Sequence, residues 1–258
     1  MNKLLLASLI TGTSFTASAD VITFNDSSFN GTPGSEVIFD FIDYDPDIAT
    51  VTQIDTDLSG DIAGNDAFSE FGATDVVNFK LGATNISVDP AYEVFFDYAF
   101  NGMAATVVDD EIVVTFSSVG ASTGLYVDTT VNGTFDGGMQ IASFGLNAGG
   151  CTIDISPGPL QNKGLCALDL SLTFMAGYFF NSAGDDLSTT PGSKSAELIV
   201  TVQDIVGLLP FYPGGAGSSQ TFEIQHDGNM TMTVPEPATV AILGLSLLGF
   251  AGMSRRKL

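Results

Sequence analysis

Oxygen-bearing side chains recur at a fixed spacing between residues 55 and 66. Counted from the first aspartate, positions 1, 3, 5, 7 and 12 hold Asp55, Asp57, Ser59, Asp61 and Asp66. Gly60 stands at position 6, where a calcium-binding EF-hand loop makes its sharp turn. Because hard cations prefer oxygen ligands, this spacing favours a Ca²⁺ site. The alternative is a solvated acidic loop, since residues 50–54 predict a strand where an EF-hand has a helix.

Three further acids lie just before this loop. They are Asp43, Asp45 and Asp47. They form either a second cation site or additional surface charge.

The sequence gives little support for a catalytic site. The chain has one histidine, His226, whereas a zinc site needs three or four nitrogen or sulfur ligands. A Gly-x-Ser-x-Gly pattern occurs at residues 120–124, but it lies between two alternating, strand-like segments and lacks the following helix of a nucleophile elbow. His226 precedes an Asp-Gly turn signal, so we predict a rim or turn position for it. Two carboxylates at the right separation could hydrolyse a glycoside, but the chain has no Trp to serve as a sugar platform. We therefore predict a protein that is not an enzyme and has no catalytic residue.

The charge balance argues against two classes of partner. The 258 residues include 30 acidic and 7 basic ones, a net charge of −23. Proteins that bind nucleic acids need a basic surface, and proteins that dock on anionic lipids by charge need basic clusters. We therefore predict no nucleic-acid partner and no docking by charge on a lipid surface.

Apolar residues alternate with polar residues through most of the chain. The clearest case spans residues 165–175, where Leu168, Leu170, Leu172 and Phe174 share one face. Such alternation is typical of antiparallel sheets with one solvated side. The length suits one domain. The sequence therefore predicts a single all-β domain over residues 20–233, an antiparallel β-sandwich or jelly roll.

Local signals predict turns and short helices between these strands. Asn-Gly or Asp-Gly pairs at residues 101–102, 132–133 and 227–228 fit the two-residue turns of hairpins. Residues 66–71 and 204–209 are the segments where short helices could form. Residues 210–220 are rich in glycine and predict a loop.

Cys151 and Cys166 are the only two cysteines. In an exported chain two cysteines are most simply interpreted as one disulfide. Cys166 shares the register of Leu168, so it should face the core. A metal or redox pair is the alternative, but no Cys-x-x-Cys spacing supports it.

The first 19 residues have the pattern of a secretory signal peptide. Lys3 precedes a short apolar stretch, and Ala17 and Ala19 form a small-x-small cleavage site. We therefore expect the mature chain to begin at Asp20.

The last 25 residues, 234–258, combine three features in order. Val234, Pro235, Glu236 and Pro237 come first, followed by an apolar run over residues 238–253 and a basic cluster that includes Arg255 and Arg256. The run is slightly shorter than the ~20 residues of a typical membrane-spanning helix. The basic cluster predicts a cytoplasmic C-terminus and an exported body. A plain single-pass anchor and a GPI signal are the alternatives, although GPI tails usually end in apolar residues.

This tail resembles the PEP-CTERM sorting signal of Gram-negative bacteria. The resemblance implies an N-terminal signal peptide, a membrane helix that holds the chain before processing, and cleavage near residues 235–237 by an exosortase, a membrane protease-transpeptidase. Family members typically reach the outer surface or the exopolysaccharide matrix. The body is also faintly similar to flocculation-associated members of the family.

Three functions are therefore considered. The first is a non-enzymatic protein of the cell surface or exopolysaccharide matrix, with extracellular polysaccharide as its partner and no cofactor required. The second is a carbohydrate-binding module stabilised by Ca²⁺ at the loop of residues 55–66. The third is a secreted hydrolase that uses two carboxylates.

Overall fold

The structure is a computed structural model that describes residues 21–60, 66–108, 111–154, 156, 162–209 and 212–234. These residues form fourteen strands and one single-turn helix, α1 (Ser27–Asn30). The first seven strands are β1 (Ile22–Asn25), β2 (Glu36–Phe39), β3 (Phe41–Tyr44), β4 (Asp47–Ile54), β5 (Asp66–Leu81), β6 (Thr84–Ser87) and β7 (Glu93–Val108). The others are β8 (Glu111–Val119), β9 (Gly124–Asp128), β10 (Met139–Asp154), β11 (Lys163–Phe174), β12 (Phe179–Phe180), β13 (Ser195–Val206) and β14 (Ser219–Thr233).

Eleven strands form one antiparallel sheet that closes on itself. Its hydrogen-bonded neighbours lead from β5 through β4, β14, β13, β11, β10, β8 and β7 back to β5. Near one end β3 takes the place of β4 between β5 and β14, and β9 takes the place of β8 between β7 and β10. The predicted all-β antiparallel architecture is confirmed. Opposite walls of the sheet pack on a shared core, as the layers of a sandwich do.

Strand alternation determines which side chains enter the closed sheet. Along β11 the five even-numbered residues from Cys166 to Phe174 are buried, while the residues between them are exposed. This is the pattern predicted for residues 165–175, and it is typical of a sheet with one solvated face.

A separate three-stranded sheet, β12–β1–β2, covers one end of the closed sheet, which we call the capped end. Aromatic rings form the contact. Phe24 stacks on Phe179 with ring centroids 5.3 Å apart, and Phe39 lies 4.9 Å from Phe79 of β5. Phe174, the last residue of β11, lies 4.7 Å from Phe179. We call the opposite end, where β4 stops and β5 and β14 begin, the loop end.

Two predicted helices are strands in the structure. Residues 66–71 open the sixteen-residue strand β5, and residues 204–206 end β13, with no helix over residues 207–209. Asp66 and Asp204 begin these two segments, and Asp is a favoured helix N-cap residue. Ladder pairing outweighs that weak local preference, because residues 67–71 pair with both β4 and β7 and residues 204–206 pair with β14.

Two of the three predicted turns are also wrong. Asn101 and Gly102 lie within β7 at a register shift against β8, and residues 227–228 lie within the uninterrupted strand β14. A Cβ at Gly102 would lie 2.2 Å from the Thr115 carbonyl oxygen, so this glycine serves close backbone approach instead of a turn. Gly133 does lie in a loop, between the paired strands β9 and β10, with a φ of 71°.

Cys151 and Cys166 form a disulfide that joins β10 to β11. The two residues are directly opposite each other in the ladder, and both are buried. The prediction that Cys166 faces the core is therefore confirmed.

Several sequence predictions concern residues outside the described part of the chain. These are the signal peptide with Ala17 and Ala19, the sorting residues Pro235, Glu236, Pro237, Arg255 and Arg256, and the apolar run over residues 238–253. Among the residues that are described, no helix has the length and apolar character needed to cross a membrane.

Candidate functional site

Three carboxylates of the predicted cation loop converge at the loop end of the sheet. Asp55 follows the last residue of β4, and Asp66 is the first residue of β5, which pairs with β4. Asp57 lies between them in sequence. Oxygen atoms of these three side chains all lie within 4.8 Å of one another. Asp55 and Asp66 are buried, whereas Asp57 is exposed.

The backbone of the loop turns so that its amides face the first aspartate. The Ser59 N–H donates to Oδ1 of Asp55 (3.1 Å) and of Asp57 (2.9 Å), and the Gly60 N–H donates to Asp55 Oδ2 (2.9 Å). Gly60 has a φ of 80°, as expected for the turn residue predicted there. Leu58 also has a positive φ, 63°. Asp61, the remaining predicted ligand, lies outside the described residues.

A second loop, residues 212–218, completes the cluster. The Gly217 N–H donates to Asp55 Oδ2 (2.8 Å), and the Tyr212 hydroxyl donates to Asp66 Oδ2 (2.7 Å). The Tyr212 N–H also donates to the Gly60 carbonyl (3.0 Å). Sequence analysis missed Tyr212 and Gly217 because each lies more than a hundred residues from its partner. Only the position of residues 210–220 as a glycine-rich loop hinted at them.

The carboxylates differ in their electrostatic surroundings. Burial raises the pKa of Asp66, against the opposing effect of donors from Tyr212 and Thr56. Burial also acts to raise the pKa of Asp55, but the N–H donors of Gly217, Gly60 and Ser59, together with the Asp57 side chain, outweigh it and lower the pKa. Asp55 is therefore held in its charged form. A cation among the three oxygens would offset their mutual repulsion.

Calcium is expected to stabilise the folded chain if it binds this cluster. A ligand that binds only the native state raises the unfolding midpoint. We predict that adding millimolar Ca²⁺ to the EDTA-treated full-length protein raises its unfolding midpoint. Asp57→Asn should remove most of the rise, because this exposed side chain supplies a ligand without supporting the core. Asp169→Asn, an exposed aspartate on β11, is the matched control. Equal rises in both variants would contradict the prediction.

The acids before the loop are only partly brought together. Asp43 forms an ion pair with Lys80 (2.8 Å) and is therefore not a free ligand. Asp45 and Asp47 instead line a surface cleft of about 440 Å³ with Asp75 of β5. Burial, with Glu93 and the two cleft aspartates adding repulsion, raises the pKa of Asp75 to about 6. The cleft therefore holds one carboxyl that exchanges protons near neutral pH.

His226 is not at a rim or turn, so that prediction is wrong. It lies within β14, pairs with Val202 of β13 and Asp47 of β4, and is buried. Its Nε2 is hydrogen-bonded to the Tyr98 hydroxyl. Burial lowers the His226 pKa to about 4, so the ring is neutral at physiological pH. The turn prediction failed because the following Asp-Gly pair stays in the ladder.

Comparison with known proteins identifies the end of the chain. The PEP-CTERM protein-sorting motif matches residues 233–257. The match begins at Thr233, the last residue of β14, at the capped end. No curated protein and no solved structure matches the chain.

The chain therefore carries a PEP-CTERM protein-sorting motif, as its tail predicted. The motif indicates an exported protein that is sorted through the membrane to the cell surface and processed by an exosortase-like membrane protein. Because β14 ends at Thr233 and Val234 is buried, the sorting signal follows directly on the folded domain.

Proposed function

We propose that this protein is a non-enzymatic component of the cell surface or exopolysaccharide matrix of a Gram-negative bacterium. The observation that carries the proposal is the sorting motif at residues 233–257, which indicates export to the surface. The net charge of −23 adds support, because such a charge keeps an exported protein soluble and resists self-association.

Divalent cations are the proposed link between this protein and acidic polysaccharide. Two polyanions repel each other unless counter-ions lie between them. The exposed Asp57 carboxylate lies beside buried Asp55 and Asp66 at the loop end, away from the end where the sorting tail leaves the domain. A cation held there could share its remaining coordination positions with a polysaccharide carboxylate.

Chelation tests this function. Washing a matrix preparation with EDTA is expected to release the protein, and an equal concentration of NaCl is not. Added Ca²⁺ should restore retention of the wild-type protein but not of Asp57→Asn. Equal release of the protein by EDTA and by NaCl would contradict cation bridging.

A calcium-stabilised carbohydrate-binding module is the second candidate. The convergence of Asp55, Asp57 and Asp66 supports it, since calcium sites of this kind can order a sugar-binding loop. A glycan array probed with millimolar Ca²⁺ is expected to give hits that EDTA abolishes. An array without hits would exclude this candidate.

A hydrolase that uses two carboxylates is the third candidate, and the acidic cleft supports it. A general acid works best with a pKa near the operating pH, and Asp75 has a pKa of about 6 beside Asp45 and Asp47. Purified protein would have to cleave a polysaccharide, and Asp75→Asn would have to abolish the cleavage. Failure to cleave any of a panel of polysaccharides would leave the non-enzymatic function standing.

A further inference from the structure

The closed sheet contains an apolar cavity of about 70 Å³ in the half nearer the loop end. Its wall consists mainly of aliphatic and aromatic side chains from all eight strands around the sheet, with Leu208 contributed by the segment after β13. Holding one water takes about 10–15 Å³ of such space. The cavity is therefore several times larger than a single trapped water requires.

Two polar side chains face this cavity from neighbouring strands. Gln53 of β4 is only 3 % exposed, and Glu70 of β5 stands between the inward-facing Val51 and Phe100 in the ladder. Gln53 is directly opposite Phe68, so Gln53 and Glu70 are diagonal neighbours on one wall. Side chains in that relation lie about 7–8 Å apart at their backbones, within reach of a shared partner.

Neither side chain has a hydrogen-bond partner among the described residues, although both line the cavity. Buried polar groups are nearly always hydrogen-bonded, because leaving one unpaired costs free energy. Burial also raises the pKa of Glu70 to about 7, so below that pH its carboxyl can donate a hydrogen bond.

The polar wall lies at the inner part of the cavity. Glu70, Phe100, Val200 and His226 also line a second, smaller cavity of about 30 Å³, so they separate the two spaces. His226 is already bonded to the Tyr98 hydroxyl. The unpaired groups that face the larger cavity are therefore those of Gln53 and Glu70.

We propose that the larger cavity is a binding site for a small neutral apolar molecule that carries one hydroxyl group, held between Gln53 and Glu70. A hydroxyl can accept one hydrogen bond and donate another, which matches a carboxylic acid and an amide. The hydrocarbon part of the ligand contacts the aliphatic and aromatic wall. A cavity of about 150 Å³ binds benzene, which has six heavy atoms, so this cavity of about half that volume suits a ligand of about three or four heavy atoms.

A neutral ligand fits better than a cation. An ammonium group would have to lose its water and ionise Glu70, and a buried ion pair rarely recovers both desolvation costs. The described wall of the cavity carries no Lys or Arg that would attract an anion.

Propan-2-ol, dissolved propane and isopropylamine are suitable probes. Binding is measured by calorimetry and by the unfolding midpoint of the full-length protein at pH 6. Wild-type protein is expected to bind propan-2-ol about three- to tenfold more tightly than propane, the gain of one or two hydrogen bonds. Glu70→Leu and Gln53→Leu should each reverse this preference, because they make the wall apolar. Tighter binding of isopropylamine, or no binding of any probe, would overturn the proposal.

Filling the cavity provides an independent test. Val114 of β8 lines the cavity, whereas its neighbour Val113 points outward and is 41 % exposed. Val114→Phe should abolish binding of propan-2-ol, and the matched variant Val113→Phe should leave it unchanged. If Val114→Phe does not fold, the reversal in Glu70→Leu still decides the matter. Unaltered binding in a folded Val114→Phe protein would place the ligand elsewhere and refute the site.

Discussion

Removing residues 235–258 is expected to release the protein from the cells that make it. The apolar run over residues 238–253 and the basic cluster after it are the parts of the sorting motif that would hold the chain at the membrane for processing. Without them the chain lacks the part of the motif that would hold it at the membrane. Val234 should be kept in this variant, because it is buried in the domain. Cell fractionation followed by immunoblotting measures the distribution of the protein.

A second variant separates recognition from membrane retention. Replacing Pro235, Glu236 and Pro237 by Ala leaves the apolar run and the basic cluster in place. This chain is expected to accumulate in the membrane fraction at its unprocessed length. If it were processed and distributed like the wild-type protein, the Pro-Glu-Pro segment would not be the signal that is recognised.

Replacing Glu70 by Gln is expected to stabilise the domain at pH 8. Burial raises the Glu70 pKa from 4.5 to about 7, so the folded state binds this proton more tightly than the unfolded chain does. The stabilising effect of the proton is complete below pH 4.5 and is lost as the pH rises through 7. At 1.36 kcal/mol per pKa unit the loss is up to about 3 kcal/mol. The Gln side chain does not titrate, so the variant avoids the loss.

Urea unfolding at pH 5 and pH 8 measures this effect. The free energy of unfolding of Glu70→Gln relative to wild type should grow by a few kcal/mol between the two pH values. Glu223→Gln, which changes an exposed glutamate on β14, is the matched control and should show no comparable growth. A pH-independent difference for Glu70→Gln would mean that the Glu70 carboxyl is well solvated.

The contribution of His226 to the stability of the folded state should depend on pH in the opposite direction. Its pKa is lowered from 6.5 to about 4 by burial, so the neutral ring favours the folded state above pH 6.5. That contribution is lost as the pH falls toward 4. Because Glu70 and His226 line the same two cavities, their opposed contributions partly cancel in the wild-type protein. Replacing either residue should therefore leave the pH-dependent contribution of the other visible in the free energy of unfolding.

The sequence was a good guide to strands and a poor guide to what joins them. Alternation located β11 and its inward face because burial on one side repeats every second residue. Local helix and turn signals failed at residues 66–71, which lie in a strand between β4 and β7, and at residues 227–228, which stay in the ladder with β13. Closure of the sheet depends on pairing between β5 and β7, and no single segment encodes that contact.

The candidate sites divide in the same way. The spacing of Asp55, Asp57 and Asp66 is local, so the sequence could predict that these side chains meet. Tyr212 and Gly217 join them only through the fold. Glu70 could have been noticed as an acid in an inward register, but the mistaken helix over residues 66–71 hid that register.

The mass of the mature protein recovered from the producing cells tests the account of sorting most directly. Processing at the motif predicts a chain that ends near residues 235–237 and lacks both the apolar run and the basic cluster that ends at Leu258. Peptide mapping should then find Thr233 and no peptide from residues 238–258. Recovery of the surface protein with Leu258 still attached would contradict exosortase processing and leave the tail as a simple membrane anchor.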